Sequence, residues 1–300
     1  MIRNFDEMLS IVKNNKTMRL AVAAAQDRDV IEAVVSAAKL NLAEPILVGD
    51  KVAIKSILKD IDAPYDFKIV NEPDVVESAK TAVSLVRNGE ADFLMKGLLQ
   101  TADIMRAVLD KENGLRTDSL ISHVMVYQVP SYNKLLFLTD GGINVAPSLE
   151  QKVKILENAI TVCKAMGLDR IYTAVLAGAE TVNPKIPATV DAEALANMKD
   201  KWEAMNTVVE GPVALDLAIS EQACQHKGYK GEGGGKADIL LVPYYEVGNA
   251  LGKSLTYFAN AKSAGIIMGA KVPIVLVSRA DTSESKLLSI ALGSIIANYK

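Results

Sequence analysis

The chain has 300 residues, half of them hydrophobic and 23% charged, so it can bury a sizeable core and has the length of about two domains. Its net charge of −3 argues against nucleic acid as a principal partner, which would call for a strongly basic face, while leaving room for a few lysines and arginines to gather around a small anion. Cys163 and Cys224 lie far apart without metal-ligand spacing, which argues against a disulfide scaffold or a cysteine zinc site. The first residues carry Arg3, Asp6, Glu7 and Lys13 and lack a signal-peptide core, and no apolar run reaches about 18 residues. A cytoplasmic protein with no membrane span is the expectation.

Short apolar runs at 18–25, 45–50, 67–71 and 91–97 read as strands. Between them, 29–40 and 76–89 repeat apolar residues three or four apart, the spacing of an amphipathic helix. Alternation of this kind predicts βαβ units and a mostly parallel sheet, hence an α/β fold. Residues 121–140 break the alternation: two β-rich runs flank the turn-like 130-PSYN-133, which predicts an antiparallel pair. A helix should follow at Ser148, because Gln151 three residues on has capping-box spacing. Further strands are expected at 171–178, 238–245 and 272–278, with a mobile Gly- and Lys-rich loop, containing His226, at 226–238.

The stretch 248-GNALGKS-254 approaches a P-loop but is one residue short, and GEGGGKA at 231 ends in Ala237 where a hydroxyl is needed. We read GNALGKS as a turn between a strand ending near Val247 and a helix from about Leu251 to Ala264. Three other strand-to-helix passages place polar residues beyond strand ends, where α/β folds bind ligands. They deliver Lys96, Thr101 and Arg106; Asp140 and Asn144; and Ser278-Arg279. Arginine or lysine beside Ser, Thr or Asn suits an anionic substrate.

With these turns in view, the chain resembles the phosphate acyltransferases, and among them most the phosphate butyryltransferase branch related to phosphate acetyltransferases. The resemblance runs over essentially the whole length. Its most specific pieces are ADFLMKGLLQTADIMRAVL, LLFLTDGGINVAPSLEQKVKILENAI, VEGPVALDLAI and ADILLVPYYEVGNALGKSLTYFANAKSAGIIMGAKVPIVLVSRADT, in that order. It implies a two-domain fold like isocitrate and isopropylmalate dehydrogenases, with an active-site cleft between the domains. The first domain would comprise 1–140 plus a returning 270–300, and the second 141–269. It also implies reversible transfer of a short acyl group, butyryl favoured, between coenzyme A and inorganic phosphate. Coenzyme A would be a co-substrate, with no tightly bound cofactor, no metal, and a homo-oligomeric assembly.

Carried over position by position, the resemblance gives Arg279 the phosphate and sets Ser278 near the thioester. Arg106 matches an arginine associated with the phosphorylated substrates, and Asn249 and Lys253 match a Gly-Asn turn; Lys96, Thr101 and Asn144 complete the candidate binding set. One departure stands out. Phosphate acetyltransferases carry an acidic residue seven positions after the catalytic serine, and here that position is Ser285, preceded by Glu284. The base is then Glu284, Asp281 or no carboxylate at all. Plainer readings also exist: Asp281 and Glu284 have the spacing of a helix cap, Arg106 could be a solvated face residue, and both cysteines fit core positions. A metal-assisted NAD-dependent 2-hydroxy acid dehydrogenase of the same architecture, or a non-catalytic anion-binding protein, are the alternatives.

Overall fold

The computed structural model describes residues 1–63, 66–277 and 281–299. Helix α1 (Phe5–Asn14) precedes β1 (Arg19–Ala23), α2 (Arg28–Lys39), β2 (Glu44–Gly49), α3 (Lys51–Asp60), β3 (Lys68–Asn71), α4 (Val75–Arg87), β4 (Phe93–Lys96) and α5 (Thr101–Val108). The middle of the chain forms β5 (Ser122–Gln128), β6 (Leu136–Thr139), α6 (Leu149–Ala165), β7 (Ile171–Leu176), α7 (Pro187–Ala196) and α8 (Lys199–Glu203). It continues with β8 (Thr207–Val213), α9 (Leu215–Ile219), α10 (Glu221–Lys227), β9 (Ile239–Leu241) and α11 (Tyr245–Tyr257). Strands β10 (Lys262–Met268) and β11 (Ile274–Val275) and helix α12 (Ser283–Asn298) close it.

The chain divides into a split unit, Phe5–Ser119 with Ala264–Lys300, and a middle unit, Met1–Asn4 with Leu120–Ser263. The divisions therefore fall at 119/120 and 263/264 rather than at 140 and 270. The reason is pairing: β5 and β6 form the expected antiparallel pair (Val126 opposite Phe137), and β6 then runs parallel to β9, with Phe137 opposite Ile239. Residues 120–140 are thus bonded to the middle unit's own sheet.

In the split unit the sheet order is β3-β2-β1-β4-β11-β10, parallel except for the last pair. Helix starts are fixed by carboxylates. Asp27, Asp50 and Asp74 each accept backbone N–H groups at the N-caps of α2, α3 and α4. In the middle unit the order is β5-β6-β9-β7-β8, again mostly parallel. Its core gathers Leu136, Leu138, Leu176, Leu217 and Leu240, with Tyr127 and Cys224. The capping box at Ser148 and Gln151 forms as the spacing predicts.

Two expectations are corrected. Gly248–Ser254 is not a turn: it lies within α11, which begins at Tyr245, so β9 ends at Leu241 and the turn is 242–244. His226 belongs to α10, and 228–237 is tied down rather than loose: Gly235 and Ala237 donate to Leu217 and Ala218, and Glu210 accepts from Tyr229 and Gly233. Among the described residues, no helix is long and apolar enough to cross a membrane.

The first and fourth strands of the split unit are joined at their starts by charge. Asp92, just before β4, accepts from the Arg19 backbone N–H (2.8 Å), Nε (3.0 Å) and Nη2 (2.8 Å). Those bonds to the arginine side chain, more than any other cause, hold the Asp92 carboxyl below its ordinary range. A depressed folded-state pKa means the stabilisation is present above the unfolded carboxylate value, about 4, and disappears as the pH falls through the folded value. Asp92→Asn should therefore melt below the parent at neutral pH, with the two Tm curves converging in acid. A gap that persists unchanged at the lowest pH would contradict this assignment.

Candidate functional site

In the split unit, the strand order turns back between β1 and β4, and the C-terminal ends of those strands are where an open α/β sheet receives a ligand. A pocket of about 90 Å³ opens there, lined by Asp27, Asp29, Lys96, Gly97, Val277 and Lys286, with Val30 and Leu98. Lys96 is the last residue of β4 and is 8% exposed; its Nζ donates to the Gly97 carbonyl at 3.2 Å. Lys286 is more deeply placed, at 3% exposed, with Nζ 3.0 Å from the Asp281 carbonyl and 3.3 Å from Asp29 Oδ2. Two buried ammonium groups and the N-terminus of α2 face two carboxylates, Asp27 being engaged in capping. A small polar pocket of this composition suits an oxyanion.

The residues expected at this end of the sheet fare differently. Ser278 and Arg279 lie outside the described residues. Thr101 opens α5 and is half-buried, while Arg106, further along that helix, is 71% exposed in its side chain and pairs with Asp103 at 2.9 Å. The cap of α12 is neither Asp281 nor Glu284 but Thr282, whose hydroxyl accepts the Ser285 N–H at 3.1 Å. Glu284 stands exposed in the first turn, and Asp281 is half-buried. Ser285, where the resemblance would place an acid, also receives the Thr282 hydroxyl at 3.3 Å.

A second cluster forms in the middle unit, beyond β6 and β9. Asp140 is 2% exposed, and its carboxylate collects five donors. Oδ1 accepts from Gly142 N (2.8 Å) and Ile143 N (2.9 Å), and Oδ2 from His123 N (3.2 Å), Asn144 N (3.3 Å) and Asn144 Nδ2 (2.6 Å). The charge thereby fixes the whole 140–144 turn. Asn144 Nδ2 also donates to the Ile121 carbonyl at 2.9 Å. A flipped amide would set its oxygen against two acceptors, so the orientation is determined, and Asn144 turns its oxygen rather than its NH₂ away from the turn.

Asn249 reaches the same turn: its Nδ2 lies 3.4 Å from both the Gly141 carbonyl and the Tyr245 hydroxyl. What brings α11 so near is Gly248. A Cβ there would stand 2.7 Å from the Gly141 Cα, so this glycine serves backbone-to-backbone packing and not a phosphate loop. Lys253, one turn beyond Asn249, is exposed. Lys96, Val277 and Lys286 thus share one pocket, Asn144 and Asn249 share one turn, and Arg106, Glu284 and Lys253 are surface residues of their helices.

Sequence reasoning did not find Lys286, Asp29 or the role of Asp140. Lys286 carried a legible signal, being a cation in a helical first turn, where the dipole disfavours it. Both cysteines are buried, and burial raises both thiols above their ordinary range, the opposite of the lowered pKa of an activated nucleophile. Among the described residues, no group of three or more His, Cys, Asp or Glu side chains is placed to hold a metal ion.

Residues 62–294 match the protein family described as "Phosphate acetyl/butaryl transferase". The chain is 46% identical over 301 residues to the phosphate butyryltransferase of Clostridium acetobutylicum, covering 100% of both chains. Among solved structures, it is similar to a branched-chain phosphotransacylase from Enterococcus faecalis V583 (TM-score 0.84, 35% identity, 94% of this chain and 100% of that one). The fold alone is shared with a 4-hydroxythreonine-4-phosphate dehydrogenase from Burkholderia phymatum (TM-score 0.58, 12% identity, 94% of this chain and 99% of that one). The chain belongs to the phosphate acetyl/butyryl transferase family.

The amide assignment at Asn144 is open to test. Asn144→Asp replaces two donated hydrogen bonds by a carboxylate facing Asp140 and a carbonyl. It should cost about 1–3 kcal/mol in urea unfolding at neutral pH. Parental stability at neutral pH would contradict the orientation.

Proposed function

We propose that this chain moves a short-chain acyl group, butyryl favoured, between coenzyme A and inorganic phosphate: acyl-CoA plus phosphate gives acyl phosphate plus CoA. The observation that carries the reading is identity of 46% with a phosphate butyryltransferase over the entire length of both chains. The dehydrogenase alternative would need a metal and a nicotinamide nucleotide, and the dehydrogenase similarity is one of fold only, at 12% identity. In this reading coenzyme A is a co-substrate with no tightly bound cofactor, and the enzyme is a cytoplasmic homo-oligomer with the isocitrate and isopropylmalate dehydrogenase-like architecture that the resemblance implies.

The chemistry proceeds in a ternary complex. A phosphate oxygen attacks the thioester carbonyl, the new C–O bond forms, the C–S bond breaks, and coenzyme A leaves as thiolate. Arg279 holds the phosphate through paired N–H donors, offsetting its repulsion from the growing oxyanion. Ser278 donates to that oxyanion, a contact worth about 3 kcal/mol. Alignment of two substrates contributes up to roughly 7–11 kcal/mol more. Lys96 adds positive charge, and Thr101, Arg106 and Lys253 belong to the phosphorylated ends of the substrates. Asn144 and Asn249, whose amide nitrogens are already engaged, accept from a donor on the coenzyme A arm rather than binding phosphate. Asp281 or Glu284 exchanges the thiol proton, or solvent does so.

Release of free thiol from butyryl-CoA, followed with and without phosphate, tests the reading. Thiol release should depend on phosphate, and Arg279→Met should lower kcat/KM for phosphate by about 10²–10³. Silence with phosphate, NADH formation with NAD and magnesium, or a parental rate in the Arg279 variant would each overturn it. Exchange of labelled CoA into butyryl-CoA should not occur without phosphate; if it does, an acyl-enzyme replaces the ternary complex.

A further inference from the structure

Helix α11 carries Gly248 and Asn249 against the 140–144 turn, yet it begins without a side-chain cap. Helices α2, α3, α4, α6 and α12 each start on an Asp, Ser or Thr that accepts a backbone N–H. In α11 the N-cap is Tyr244, whose side chain makes no such bond. The start is held from other elements instead. Tyr245, the first helical residue, donates its N–H to the Val145 carbonyl at 3.0 Å. Lys152 of α6 lies over the Tyr244 ring, its Nζ 5.4 Å from the centroid.

Lys152 occupies that place at a cost. It is the fourth residue of α6, close to the positive end of the helix dipole, and its side chain is only 2% exposed. A buried ammonium needs partners to offset lost hydration. Asp191 of α7 supplies one, with Oδ2 2.6 Å from Nζ, and the electron-rich face of Tyr244 supplies another. Lys80 meets Glu77 at 2.7 Å while its side chain is 60% exposed, so a close carboxylate does not by itself require burial. The ring contact does. Through Tyr244 the charge fixes the 244–245 step, and one turn on, Asn249 Nδ2 lies 3.4 Å from both the Tyr245 hydroxyl and the Gly141 carbonyl. Every residue in this chain of contacts belongs to the middle unit.

We propose that Lys152 is a positioning residue: anchored by Asp191 and held against Tyr244, its ammonium sets the start of α11 and so the Asn249 amide. The inference rests on the role proposed above for Asn144 and Asn249 toward the coenzyme A arm. Lys152 touches no substrate in this scheme. Its loss should weaken the acyl-CoA side of the reaction and leave phosphate binding alone, a split that a general loss of stability does not produce.

The test is steady-state kinetics on the full chain, with KM measured separately for butyryl-CoA and phosphate. Lys152→Met, which keeps the aliphatic length, should raise KM for butyryl-CoA about fivefold, the scale of one cation–π contact. KM for phosphate should stay within about twofold. Tyr244→Leu should match Lys152→Met, and Tyr244→Phe, which keeps the ring face, should restore the parental value. Asn249→Ala should also raise KM for butyryl-CoA. In that background Lys152→Met should add less than about twofold, because it acts through the same amide. A parental KM for butyryl-CoA in Lys152→Met, equal rises in both KM values, or full multiplication of the two effects overturns the proposal. Should Lys152→Met fail to fold, the two Tyr244 variants decide: a parental KM in Tyr244→Leu, or an equal rise in Tyr244→Phe, overturns it. If Asn249→Ala keeps the parental KM, the proposed role of that amide falls and this inference with it. Thiol release that needs no phosphate counts instead against the acyl transfer itself.

Discussion

Formal charge withdrawn from water must meet fixed partners, and each candidate site in this protein is built around one charge so treated. Asp140 answers with five donors, three of them backbone N–H groups of the turn that follows it. Lys286 answers with a carbonyl and a carboxylate. Fixed hydrogen bonds of this kind are costly to remove singly, because the buried charge stays behind without its partner. Their physical effect is therefore to leave the surrounding turn one permitted arrangement. Asp140 sets the Asn144 amide, and through Gly141 it sets the seat of α11.

The parallel sheet explains why these charges sit where they do. Every parallel strand must hand its chain to a crossover, so polar residues accumulate at the strand C-terminal ends while the strand bodies remain apolar on both faces. Strand β4 is buried throughout and ends on Lys96, and β6 is buried throughout and is followed by Asp140. In the split unit the reversal of strand order between β1 and β4 opens room for a pocket. In the middle unit the same logic brings the turns after β6 and β9 together, since Val242 N donates to the Thr139 carbonyl and holds the two strand ends side by side.

Much of this was legible beforehand, and the failures share a cause. Local signals with a mechanism succeeded: the Ser148–Gln151 capping box, the antiparallel pair around 130-PSYN-133, and helices at 29–40 and 76–89. GNALGKS misled because glycine has two uses. Gly248 reads as a turn residue when judged by its neighbours in sequence, yet it is required by Gly141, more than a hundred residues away, and only tertiary packing reveals that. Thr282 took the cap from the Asp281–Glu284 pair because its hydroxyl meets the Ser285 N–H, a choice that spacing alone left undecided. Long-range hydrogen bonds such as Asn144 to Ile121 leave no periodic trace at all. Ser278-Arg279, on which the sequence reading leaned most, lies outside the described residues.

The geometry around Ser285 bears on the unanswered base. The Ser285 N–H donates to the Thr282 hydroxyl, which in turn donates to the Ser285 hydroxyl oxygen, so the position belongs to the start of α12. On the proposed reaction this is tolerable, because the leaving group is a thiolate. A thiolate is the conjugate base of a thiol rather than of an alcohol, and so leaves readily without prior protonation. A dedicated carboxylate would then contribute less than the groups that hold phosphate against the carbonyl, where two anionic charges must be brought together. Glu284 is exposed to water and Asp281 only half-buried, whereas Lys96 and Lys286 are almost wholly enclosed. The buried charge of the split unit is thus that of two lysines lining one small pocket, not of a carboxylate placed to act as a base.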